Sequence, residues 1–210
     1  MSQAGILTGR AIDREVVIGS IEIDPFDPRL INPVSVDLRL GQNVAVYRVG
    51  DLILRDLAAH MLSVESLDAK KENQVVRFDI PEDGLVLKPG VLYLMHTLER
   101  VHTKRFVPVL DGKSSIGRLG IKVHETAGYG DPGFDGQYTL EVTCVHPVRV
   151  YAGMRFCQMR FHTMVGEVSL YGHNSNYTYG HNSNYTGVLA QGPVPSRSFK
   201  QFDEDDGSTK

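Results

Sequence analysis

The chain has 210 residues, 41% of them hydrophobic and 22% charged, which suits one domain built around one core. Its formal net charge of −3 excludes the basic footprint of a nucleic-acid binder but leaves room for a local anion pocket. No N-terminal charged-then-apolar leader and no apolar run near about 20 residues is present, so the expectation is a cytoplasmic protein without a membrane partner.

In chain order, the first predicted element is a helix capped by Thr8, with Ile12, Val16 and Val17 at helical spacing and Gly19 as its stop. Pro25, Pro28 and Pro33 then forbid a long helix. Val34, Val36, Leu38 and Leu40 alternate with Ser35, Asp37 and Arg39, the pattern of a half-buried strand with its polar residues on the solvent side. Short apolar runs follow at 44–47, 75–78, 91–94, 106–110 and 138–142, separated by Gly, Pro and Asp. Many short strands with frequent turns predict a mainly β jelly roll or barrel. The polar stretch from Asp56 to Asn73 reads as a short helix or a loop. Cys144 and Cys157 lie in strand-like runs without a CxxC pair, and read as buried free thiols. From Tyr171 to Thr186 the octapeptide YGHNSNYT is written twice, a polar loop too short for a solenoid unit. The acidic tail at 201–210 reads as disordered, leaving a single domain over 1–200.

Three constellations can carry chemistry. In Gly112 to Arg118, GKSSIGR, two hydroxyls, an ammonium and a guanidinium stand within six positions, a set suited to phosphate oxygens. It is not a Walker A loop, and the same residues also suit a polar turn with Ser114 as a helix N-cap. Ala127 to Gly136 holds four glycines and a proline, a tight hairpin whose backbone can meet a base edge while Tyr129 or Phe134 packs beside a sugar; Asp131 reads as buried and able to accept from a sugar hydroxyl, or else as the opener of a bulged turn. Glu141 stands in an apolar strand run. Facing inward it would have a raised pKa suited to proton transfer; the other reading puts it on the solvent face. His124, His146 and His162 form no zinc pattern with the two Cys, and the PCxxC signature of zinc deaminases is missing, so a deaminase built on this chain would work without zinc.

Taken together, these stretches resemble the dCTP deaminase family of the dUTPase-like superfamily. The resemblance is carried by Ile23 to Pro28, Asn32 to Leu40, Leu87 to Gly90, Lys113 to Arg118, Asp131 to Phe134, Thr139 to Glu141, Gly153-Met154, Gln158 and Gly192 to Arg197. It implies a distorted jelly-roll subunit with a flexible C-terminal lid, assembled as a homotrimer with active sites at subunit interfaces. It implies Glu141 as the general acid/base, Ser114 and Arg118 positioning the attacking water, and Lys113, Ser114 and Ser115 on phosphate oxygens with Mg²⁺ carried by the triphosphate. Ile116, Gly117 and Ala127 complete the wall of the pocket. Asp131 would take the 3′-hydroxyl, the backbone at Thr139 and Leu140 the base, and Gln158, Gln191 and Tyr171 or Tyr179 the phosphates. Gly128-Tyr129 is similar to the branch that also hydrolyses the triphosphate and releases dUMP, in which Asp131 would help activate the second water. The implied ligands are dCTP, with dUTP, and dTTP as an inhibitor. Against the family's Lys-Tyr-x-Gly-Gln lid sequence, this chain has Asn184-Tyr185-Thr186-Gly187-Val188, without the Lys. The competing readings are a deaminase that releases dUTP, a plain dUTPase and a non-catalytic nucleotide binder.

Overall fold

The computed structural model describes residues 4–49, 66–168, 170 and 192–200. The tandem repeat, the lid sequence with Gln191, residues 56–65 and the acidic tail therefore lie outside the described residues. Helix α1 is Gly9–Val17, with the Thr8 hydroxyl accepting from the Ala11 N–H at 3.4 Å and Gly19 at φ +75° ending it. Its buried face carries Ile12 and Glu15, whereas Val17 is 79% exposed, so the expected apolar stripe is narrower than the spacing suggested. A 3₁₀ turn, Pro28–Leu30, follows a first strand, β1, Glu22–Asp24.

The rest is mainly β. The strands are β2 (Val36–Arg39), β3 (Asn43–Tyr47), β4 (Val75–Asp79), β5 (Leu85–Leu87), β6 (Tyr93–His102), β7 (Phe106–Gly112), β8 (Ile121–Lys122), β9 (Asp135–Cys144), β10 (Val148–Val150) and β11 (Arg155–Thr163). A six-stranded sheet runs β4-β3-β6-β9-β8 with β1 also on β6; β2-β11-β7 form a second sheet and β10-β5 a small third one. Among the described residues all strand pairings are antiparallel, which suits short strands joined by turns. A short α2, Ser114–Gly117, leads from β7 towards β8. Among the described residues no helix is long and apolar enough to cross a membrane.

The core lies between the two larger sheets, where Leu38, Leu40, Met95, Leu140, Phe156, Met159 and Phe161 are fully buried. Each such side chain contributes roughly 1.5–3 kcal/mol of apolar transfer. The sheets are joined at the Leu40–Thr97 bridge and by Arg39, whose guanidinium meets the fully buried Glu99 carboxylate at 2.6 Å while its N–H donates to the other oxygen at 2.8 Å. Cys144 and Cys157 are buried free thiols, and burial pushes both above the usual thiol range. The polar stretch at 66–73 forms a turn in which Asp68 accepts from Lys70 N–H.

One expectation fails inside β2. Asp37 does not face solvent; it is 2% exposed, on the side of the strand opposite Val36 and Leu38 but covered by β11 and the start of α2.

Candidate active site

The phosphate-like cluster begins where β7 ends. Lys113 does not project freely: its ammonium lies 2.5 Å from the Asp37 carboxylate, to which Asn32 also donates at 2.7 Å and beside which Arg155 stands at 3.9 Å. A carboxylate buried this deeply needs a counter-charge, and Lys113 supplies it. Gln158 is committed as well. It accepts from the Ser35 hydroxyl at 3.0 Å and donates to the Gly112 carbonyl at 2.9 Å, fastening β2 and β7 across β11. Lys113 and Gln158 therefore hold the base of α2.

Within α2, Lys113 is the N-cap and makes no side-chain cap bond, so Ser114 is the first helical residue and not the cap. Ile116 is buried and anchors the turn, leaving only its backbone near any ligand, and the Ile116 and Gly117 N–H groups donate to the Lys113 carbonyl. Ser114, Ser115 and Arg118 are exposed, and none of their side chains bonds another described residue. Two hydroxyls and a guanidinium are thus presented together to solvent on a rigid turn.

The glycine-rich stretch is not a self-contained hairpin. Gly128 to Gly130 lies along the free edge of β7, with Gly128 C=O accepting from Leu110 N–H at 2.7 Å and Gly130 N–H donating to Pro108 C=O at 2.8 Å. A Cβ at position 128 would lie 2.7 Å from the Leu110 carbonyl oxygen, so only glycine permits this approach. The path turns Tyr129 outward, 78% exposed, with Ala127 exposed just before it. Asp131 is also exposed, correcting the expectation of burial; a turn opens there, as the other reading had it, with Phe134 N–H donating to its carbonyl. Beside it, Phe134 and Tyr138 pack edge to face at 4.8 Å, and burial, with the nearby Asp131 charge, pushes the Tyr138 phenol upward.

Glu141 sits at the centre of β9. Leu140 and Val142 point into the core, so Glu141, like Thr139 and Thr143, faces the other way and is half-buried. The inward placement is not found. Its carboxylate is nevertheless held: Oε2 accepts from the Glu125 N–H at 3.0 Å, and its own N–H donates to the Val123 carbonyl at 3.1 Å. By strand alternation Thr139 turns its N–H and C=O to that same edge, beyond the end of β8 at Lys122. That leaves a backbone donor and acceptor beside the carboxylate, a pair able to read a base edge. Leu140, by the same alternation, bonds towards β6 and offers the edge nothing.

The C-terminal segment arrives on this face. Gly192 N–H donates to Gln137 Oε1 at 2.7 Å, Val194 N–H to Thr139 Oγ1 at 3.0 Å and Ser196 N–H to Tyr47 OH at 2.6 Å, while Arg77 donates to the Pro193 carbonyl. The strap is therefore fixed within two residues of Glu141. Tyr171, Tyr179 and Gln191 lie outside the described residues. No sequence pattern marks Gln137, Glu125 or Thr143 as site residues, and Asp37 reads there only as a solvent-side strand residue. Their polar side chains look solvated in a strand pattern, and only the neighbours brought by folding give them partners. Among the described residues no three His, Cys, Asp or Glu are grouped as metal ligands.

The family model described as dCTP deaminase-like matches residues 6–164. A protein of Leptospira biflexa named "dCTP deaminase, dUMP-forming" is 43% identical over 200 residues, covering 95% of this chain and 99% of its own length. Proteins with the same name from Hathewaya histolytica and Cytophaga hutchinsonii are each 40% identical over 94% and 95% of this chain and 99% of their own. Among solved structures, a 2′-deoxycytidine 5′-triphosphate deaminase from Agrobacterium tumefaciens superposes with a TM-score of 0.57 at 23% identity, covering 77% of this chain; the chain spans about half of that protein, 49%. That likeness supports the fold. With the family model spanning α1 to β11 and relatives at this identity over nearly the whole chain, the protein belongs to the dCTP deaminase-like family.

Proposed function

We propose that the protein deaminates dCTP and hydrolyses the triphosphate in the same site, releasing ammonia, pyrophosphate and dUMP. The observation that carries this reading is the Glu141 carboxylate, half-buried beside the open backbone edge of Thr139 and held by a backbone N–H. The relatives named as dUMP-forming support the product. In this reading water oxygen bonds to C4 of cytosine, the C4–N4 bond breaks and ammonia leaves. Glu141 takes the water proton and passes protons to N3 and the leaving nitrogen. Ser114 and Arg118 orient the water, and Ser114, Ser115 and Arg118 take phosphate oxygens, as their uncommitted side chains allow. Lys113 and Gln158 act by holding α2. Asp131 accepts from the 3′-hydroxyl and helps draw a proton from the second water, which cleaves the α–β phosphate linkage.

The donors facing this site are hydroxyls and a guanidinium, suited to phosphate oxygens and not to a cation. Mg²⁺ would then come with the triphosphate, with no side chain of this chain needed to hold it, and would supply neutralisation of the phosphate charge. A homotrimer completes the site: the exposed Leu119 and Val145, joined through the Val145 N–H to Gly120 carbonyl bond just beyond α2, form an apolar patch for a neighbouring subunit. Residues 1–200 act as one domain, in the cytoplasm.

The test is incubation of the purified protein with dCTP and Mg²⁺, followed by nucleotide chromatography. A dUMP peak with ammonia is expected. A dUTP peak retains deamination and removes the coupled hydrolysis; unchanged dCTP overturns the reading.

A further inference from the structure

We infer that Glu125 and Thr143 form a clamp that positions the Glu141 carboxylate for the deamination step, an inference that rests on the reading above. The geometry is local and closed. The chain beyond β8 continues antiparallel to β9 as far as the Glu141 N–H to Val123 carbonyl bond, then leaves the ladder. Where it leaves, the Glu125 N–H donates to Glu141 Oε2 at 3.0 Å. The Glu125 side chain turns back over the strand, and its Oε1 accepts from the Thr143 hydroxyl at 2.6 Å. Thr143 and Glu141 share one face of β9, two residues apart, so the loop is pinned at both ends of a single strand repeat.

Without the pin, a backbone N–H on an exposed loop would not stay on one carboxylate oxygen. With it, Oε2 is occupied and the carboxylate can rotate little, leaving Oε1 to face the substrate. Lys122 stands 3.5 Å from Glu125 Oε2 and offsets the second negative charge that Glu125 brings next to Glu141. The Thr143 hydroxyl, ahead of Lys122, also holds the Glu125 carboxyl below its usual range, so it remains an ionised acceptor. Glu125 and Thr143 are positioning residues; neither needs to touch the nucleotide.

Such positioning matters to deamination and not to cleavage of a triphosphate already carrying uracil, which gives a test with an internal control. Initial rates are measured on dCTP and, separately, on dUTP, for the full chain and for Glu125→Ala, Thr143→Val, Glu125→Gln and Thr143→Ser, with thermal unfolding of each. Glu125→Ala and Thr143→Val should each lower kcat on dCTP about tenfold or more, because a small misplacement of a general acid/base is costly. KM for dCTP and the dUTP rate should stay within about twofold. Glu125→Gln and Thr143→Ser keep an acceptor or a hydroxyl and should recover most of the loss. The Glu125→Ala/Thr143→Val double variant should be no slower than the worse single one. Unchanged kcat on dCTP in both truncated variants overturns the clamp, as does an equal loss on dCTP and dUTP, which would mark a merely structural role. A wild-type protein that leaves dCTP intact removes the underlying reading first, and the clamp with it.

Discussion

Lys113 should be worth more to folding than to phosphate binding. Its ammonium and the Asp37 carboxylate are 2.5 Å apart, with the two side chains 18% and 2% exposed. At that distance and an effective dielectric of about 20, the pair attracts by about 6–7 kcal/mol, most of which offsets the cost of desolvating both groups. Lys113→Met removes the attraction and leaves Asp37 charged and buried, a change that costs ~3–5 kcal/mol in comparable pairs. Asn32 still donates at 2.7 Å and Arg155 remains at 3.9 Å, so the expected loss lies at the low end, about 3 kcal/mol. In urea unfolding at fixed protein concentration, a slope of about 2 kcal/mol per molar turns this into a midpoint lowered by about 1.5 M. Lys113→Met combined with Asp37→Asn should recover much of the loss, because neither variant side chain is then an unpaired charge. A midpoint within about 0.3 M of wild type for the single variant would refute the reasoning and return Lys113 to the free cations.

Glu141→Gln should abolish ammonia release from dCTP while dUTP is still converted to dUMP, read by chromatography of parallel reactions. Gly128→Ala places a Cβ 2.7 Å from the Leu110 carbonyl oxygen and must lift the loop from β7. We expect a loss of ~1–3 kcal/mol in stability and a lower share of dUMP among the products. His96 is buried, its Nε2 accepting from Asn43 N–H at 3.2 Å and its other ring nitrogen donating to the Thr97 carbonyl at 2.8 Å, so the neutral ring is the one that fits. Burial lowers its pKa from the ordinary 6.5. The unfolded chain therefore binds the proton more readily: stability from this group is complete above about pH 6.5 and falls as pH drops towards the depressed folded value, by at most about 1.4 kcal/mol per unit. Thermal unfolding between pH 5 and 8 should show the decline in the wild type and a shallower one in His96→Gln.

The helix, the strand-rich architecture and the positions of most strands were legible in the sequence, because they follow from local rules: a capping threonine, alternating apolar residues, and Gly and Pro at turns. Pro108 shows a limit of those rules, since it sits within β7, where its carbonyl accepts from Gly130 and its missing N–H is not needed on that edge. The candidate site residues were legible as residue types. Ser114, Ser115 and Arg118 are exposed and uncommitted, as a phosphate grip requires, and Glu141 lies in β9 at the expected place.

Partnership was decided elsewhere. Asp37 reads as a solvent-facing strand residue until β11 and α2 cover it and bring Lys113 and Arg155 to its oxygens from 76 and 118 positions along the chain. Gln158 reads as a lid-like phosphate contact until Ser35 and Gly112 engage both ends of its amide. Asp131 reads as buried and is exposed; Glu141 reads as a candidate for burial and instead faces outward under a backbone N–H. The sequence determined which elements form and which chemistry the chain carries, because propensity and side-chain type act over a few residues. Tertiary structure alone decided which polar groups neutralise one another and which stay free for a ligand. Burial of a charge is set by what packs over it, and that cover comes from distant parts of the chain.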